Sequence, residues 1–168
     1  MNTITPILET FRYNHFIMGL LTDDLSEKHA VWRMRGQTGS SVTWTVGHLC
    51  RLREETIHLL NGPQSKRFKK PISDALDADG SKEHDFQALM DVWNELHDGV
   101  ERVLPDATED ILQTVIKKPM APPHVKTVLD ALIFYGWHEA YHMGTMAMIR
   151  ATLNYPETSK RIMESFRK

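Results

Sequence analysis

The chain has 168 residues and 19.4 kDa, with 41% hydrophobic and 25% charged residues and a net charge of −2. That balance excludes intrinsic disorder, and it supplies no strong positive field for nucleic acid or an acidic membrane surface. Length predicts one domain spanning residues 1–168. The single cysteine, Cys50, excludes an intrachain disulfide framework and suits a reducing, cytoplasmic compartment. The opening segment MNTITPILETFRYNHF shows no basic n-region or apolar h-region, so no signal peptide is expected. The longest apolar run, Ala131 to Leu153, is interrupted by His138, Glu139, His142 and Arg150, which argues against a membrane span.

Four stretches carry helical periodicity and none carries strand alternation. The first runs from about Thr3 to Leu21, with Ile4, Ile7, Leu8, Phe11, Met18 and Leu21 on one face and Asn2 or Thr3 as its cap. The second starts at Ser40-Ser41 and stops at Asn61-Gly62, ahead of Pro63. The basic run Lys66 to Lys70 that follows reads as a solvated loop. The third helix begins after Gly80-Ser81 and ends at Leu104 before Pro105, burying Phe86, Leu89, Trp93, Leu96 and Val100. Helical turns are expected at Glu109 to Val115. The fourth long helix begins at Val125 to Thr127 and ends near Asn154-Tyr155-Pro156. Being apolar over most of its circumference, it reads as the most buried of the four. A short amphipathic piece fits the last ten residues. Four helices of about 20 residues, each roughly 30 Å long, make an all-α four-helix bundle with long connections.

The fourth helix contains His138-Glu139-Ala140-Tyr141-His142. Residues four apart differ by about 40° in azimuth and about 6 Å in height, so both imidazoles leave one face, as two ligands of one metal ion must. Nine histidines would give about half such a pair by chance, so the spacing needs support. The surroundings supply some, because Phe134, Trp137, Met143, Met146 and Ile149 make an unpaired imidazole costly. His48, on the border of the second helix's apolar stripe, offers a third imidazole. Three imidazoles from two helices, with positions left open, describe a catalytic rather than a structural site. The zincin protease pattern also contains His-Glu-x-x-His, but here Thr145 and Met148 occupy the positions of the extended motif's Gly and His, and no strands are present to form a cleft. His15 reads as a packing residue. His58 lies too far along its helix to share the ion. His29, His84, His97 and His124 read as loop or exposed positions, and Cys50 points away from His48.

The segment Ser41-Val42-Thr43-Trp44-Thr45-Val46-Gly47-His48-Leu49, followed some 90 residues later by His138-Glu139-x-x-His142-x-Gly144, resembles the DinB/YfiT-like superfamily. The resemblance covers the whole chain. It implies an up-down-down-up bundle, commonly a homodimer, that binds Zn or Ni through a histidine triad, here His48, His138 and His142. Members often carry Arg-Gly-Gln after the last ligand, where this chain reads Met143-Gly144-Thr145. Characterised members use a low-molecular-weight thiol as co-substrate, so the resemblance implies a small-molecule enzyme of thiol S-transferase or hydrolase type.

Glu139 is a candidate general base or a partner for a ligand imidazole, although its azimuth also allows it to face a neighbouring helix. Trp44, Thr45, Tyr135 and Tyr141 are candidate pocket residues. Two rival readings remain: a non-enzymatic metal-binding or stress-induced interaction protein, and a bundle whose histidines pack without metal.

Overall fold

A computed structural model of the chain describes residues 4–36, 39–68, 85–117 and 121–167. Its elements are α1 (Ile4–Thr22), α2 (Glu27–Ala30), α3 (Val42–Leu59), α4 (Phe86–Val103), a 3-10 turn (Leu104–Asp106), α5 (Glu109–Leu112), α6 (Val128–Thr152) and α7 (Thr158–Ser165). The four long helices are those the periodicity predicts. Among the described residues none of the helices is long and apolar enough to cross a membrane.

Local chemistry sets the helix ends. The Ser41 hydroxyl accepts from the Trp44 amide and opens α3, and the Asp85 carboxylate does the same for Ala88 in α4. Thr127 and Asp130 form a reciprocal capping box at the start of α6. Past the C-terminal ends of α3 and α6, Asn61 and Asn154 take the left-handed backbone, at φ 58° and 60°. The expected cap at Asn2 or Thr3, the start at Gly80-Ser81, and the positions His84, Lys69 and Lys70 lie outside the described residues.

α3 packs most extensively against α4, and α6 packs against both α1 and α3. Two glycines permit close approach. A Cβ on Gly99 would come within 2.5 Å of Ile57 Cδ1 across the α3–α4 seam, and one on Gly136 within 3.0 Å of Thr10 Cγ2 across the α1–α6 seam. The core gathers Phe11, Met18, Leu49, Trp93, Leu96 and Met146, all fully buried. Burial of side chains of this size stabilises by about 1.5–3 kcal/mol each.

Two local expectations need correction. The helical turn expected through Val115 ends at Leu112, because Val115 instead bridges Thr127 in antiparallel fashion. The Ile116 amide then donates to the Lys126 carbonyl at 2.8 Å. Helix α6 is not buried all round: Ile133, Trp137, Tyr141 and Met148 are each more than half exposed. They share one side of the helix, which faces away from α1 and α3.

Candidate metal centre

Helices α3 and α6 bring three imidazoles together. His48 stands on α3 and His138 and His142 stand one turn apart on α6. The Nε2 atoms of His48 and His138 lie 3.0 Å apart, and those of His142 and His138 lie 2.9 Å apart. One ligand nitrogen from each residue falls within 4.8 Å of the other two. Among the described residues no further histidine, cysteine, aspartate or glutamate joins them.

The donor set fits a divalent cation. An imidazole nitrogen has one in-plane position, holding either a lone pair or a hydrogen. His138 Nε2 faces two other nitrogens, so it can complete only one of the two hydrogen bonds that this spacing would need. A cation placed among three lone pairs satisfies them all. Zn–N bonds of about 2.0–2.1 Å with tetrahedral angles separate ligand nitrogens by about 3.3 Å, a few tenths of an ångström from what is seen. Protonation does not compete near neutrality. Burial, aided by the neighbouring His138 and Arg51, pushes His48 down to about 4. Burial followed by the charges of His48 and His138 takes His142 to about 4, and burial lowers His138. Neutral imidazoles are the form that binds metal.

Aromatic rings fix the imidazole planes. Trp44 stacks on His48 at 5.1 Å and 6° between planes. Phe134 and Trp137 approach His138 at 5.3 and 6.2 Å, and Tyr141 lies 5.3 Å from His142. Of the expected pocket residues, Trp44 and Tyr141 therefore meet the ligands. Thr45 and Tyr135 do not reach the mouth. Thr45 is fully buried, its hydroxyl donating to the Ser41 carbonyl at 2.8 Å, and Tyr135 is fully buried with its ring 5.9 Å from Phe134. Phe134, named from the sequence as an apolar neighbour but not as a pocket residue, packs 5.3 Å from His138, nearer than Trp137 or Tyr141.

Glu139 takes the second of its two expected orientations, and this corrects the general-base assignment. It is fully buried between helices. Arg53 of α3 donates from Nε to Glu139 Oε1 at 2.7 Å and from Nη2 to Oε2 at 3.0 Å. Asn14 of α1 donates to Oε2 at 3.0 Å and to the Gly136 carbonyl at 2.8 Å. Arg53 also lies over the Trp93 ring, 3.5 Å from its centroid. A carboxylate engaged at both oxygens and closed off from solvent does not face a substrate at the metal.

The other polar groups sort plainly. His58 and His124 are exposed, and His29 Nδ1 pairs with the Tyr155 hydroxyl at 2.9 Å. His97 is not at an exposed face as expected. Its side chain is 15% exposed and its ring stacks on His15 at 3.7 Å, because it lies four residues beyond buried Trp93 on the same side of α4. Cys50 is buried, and its thiol is pushed up by that burial.

No curated protein matches the chain. The family model described as the DinB superfamily matches residues 19–146, a span that holds α3, α4, α6 as far as Met146 and all three clustered histidines. By that match, the chain belongs to the DinB superfamily.

Proposed function

We propose that this chain is a metal-dependent enzyme acting on a small molecule, of thiol S-transferase or hydrolase type, with His48, His138 and His142 holding one Zn or Ni ion. The observation that carries the reading is the convergence of three Nε2 atoms with no fourth protein ligand among the described residues. A structural zinc site is closed by four protein ligands, whereas a catalytic one keeps a position for water or substrate. Bound there, a divalent cation supplies Lewis acidity that makes a water or a thiol acidic enough to react at neutral pH.

The chain's own residues supply orientation and access. Trp44 holds the His48 ring from one side, and Phe134 and Tyr141 hold the α6 imidazoles. All three imidazoles are half-buried, so a small molecule reaches them from solvent while the bundle core closes the other side. The buried Arg53–Glu139–Asn14 cluster ties α1, α3 and α6 together beside the ligands and sets their spacing. A cytoplasmic location belongs to the same reading, supported by the single buried thiol. So does a homodimer, supported by an exposed apolar face on α1 and α7 where Phe16 stacks on Phe166 at 6.4 Å and Tyr13 is 62% exposed.

The test is turnover of a panel of low-molecular-weight thiols with electrophilic acceptors, and of activated esters, by the metal-reconstituted chain. The reading expects turnover with at least one pair, lost on chelation and restored by metal. Turnover unaffected by chelation would contradict it.

A further inference from the structure

We infer that the groove beside His138 binds a neutral aryl or branched apolar group of the substrate; this rests on the metal-centre reading above and names its substrate class. The groove has a volume of about 480 Å³ and is walled by Pro122, Val125, Ile133, Phe134 and Trp137. That volume lies in the range of small-molecule sites, about 300–1,000 Å³. The groove adjoins the metal centre through its own wall, since the Phe134 ring that lines it also packs 5.3 Å from the His138 ring. Trp137 and Tyr141 stack at 5.7 Å and extend the aromatic surface along α6. A ring laid against Phe134 and Trp137 gains offset stacking in addition to burial.

Charge decides which small molecule fits. The polar lining is His124 and Asp130. Asp130 accepts from the Lys126 and Thr127 amides at 3.1 and 3.0 Å, and those bonds hold its carboxyl below the usual range. Among the described residues no lysine or arginine lines the groove. A carboxylate-bearing acceptor would meet the fixed anion of Asp130 with no described lysine or arginine to offset it, so the groove favours neutral groups. The exposure of three large apolar side chains on α6 also finds its use here. Ile133 and Trp137 line the binding surface, and Tyr141 continues it toward His142.

The test is isothermal titration of the metal-free 168-residue chain with 1-naphthalenemethanol, which is neutral, and with 1-naphthoate, which is anionic. The alcohol is expected to bind saturably, one per chain, and the naphthoate about tenfold or more weaker. Trp137→Ala, at a position 58% exposed and so tolerant for folding, is expected to weaken the alcohol by about tenfold, as is Phe134→Ala in protein shown folded by circular dichroism. Absence of saturable binding, equal affinity for the two probes, or an unchanged Trp137→Ala would overturn the inference. So would a wild-type dimer that Trp137→Ala makes monomeric and that never binds the alcohol, because a second copy would then cover the groove. In Co(II)-loaded protein, the alcohol should shift the visible spectrum of wild type, and Trp137→Ala should need about tenfold more alcohol for the same shift; an unmoved wild-type spectrum would overturn the adjacency. Failure of Co(II) to bind sinks the metal reading alone, while the metal-free titration still judges the groove.

Discussion

His138 and Glu139 are consecutive residues of α6, yet they lie in opposite chemical settings. About 100° of helical rotation separates them. His138 faces two other imidazole nitrogens, at 2.9 and 3.0 Å, with one in-plane position to meet both. Glu139 faces Arg53 and Asn14 and has both carboxylate oxygens engaged, with no exposure at all. A cluster of ligand nitrogens that stays half-open is built to receive something. A carboxylate engaged at both oxygens and sealed in the core is built to hold the helices in place. The difference separates binding from positioning on a single helix.

Breaking the sealed cluster carries the largest expected effect. Glu139→Ala leaves the buried Arg53 charge without its carboxylate, and should destabilise the chain by about 3–5 kcal/mol in urea unfolding. Replacing both partners with apolar residues, Arg53→Met with Glu139→Leu, should recover most of that loss, because a buried pair is worth little against hydrophobic packing. A double variant as unstable as the single one would show that the pair itself stabilises the fold. The open cluster should behave in reverse. Without metal, His138→Ala/His142→Ala should change stability little. Zn at a hundredfold above its Kd should add about 2.7 kcal/mol to wild type and nothing to that variant, as read from thermal unfolding.

A third polar cluster ranks between these. Arg150, fully buried on α6, donates to the Asp24 carboxylate and to the Leu21 carbonyl, at 2.5 and 2.9 Å. Asp24→Asn should cost about 1–3 kcal/mol by weakening the partner of a buried guanidinium. The hydrogen bond from Arg150 holds the Asp24 carboxyl below its ordinary value. Its contribution is therefore complete above about pH 3.9 and is lost as pH falls through the lower folded value. The smallest effect belongs to the His15–His97 stack. Burial, then the charges of His97 and Arg53, take His15 from 6.5 down to about 4. The unfolded chain binds that proton more readily, so this contribution is full above pH 6.5 and declines as pH falls toward 4. His15→Phe should flatten the stability–pH curve in that window, measured by urea unfolding at each pH. An unchanged slope would remove the pair from the account.

The parts of this molecule that obey local rules were legible in the sequence. Four long helices, the Ser41 cap and the asparagine stops follow from spacing and capping chemistry, and the i,i+4 pair His138 and His142 follows from helix geometry. The parts that depend on packing were harder. Arg53 and Glu139 are 86 residues apart, so no local pattern pairs them. A signal did exist: Asn14, Arg53 and Glu139 each occupy a position on the apolar stripe of its helix, three or four residues from Phe11, Leu49 and Tyr135. Polar residues so placed require partners in the core. His97 carried the same signal through Trp93. The exposure of Trp137 and Tyr141 was not legible, because a helix apolar all round does not reveal which side its neighbours leave open.

The central claim is that one ion is held jointly by α3 and α6, and His48 tests it most directly because it alone links the two helices at the site. Competition titration with a chromophoric chelator should give one Zn per chain in wild type. The affinity should fall at least about a hundredfold in His48→Ala, the scale on which losing one of three ligands exceeds losing an outer partner. Binding by His48→Ala as tight as by wild type would contradict the account and leave α3 without a role at the metal.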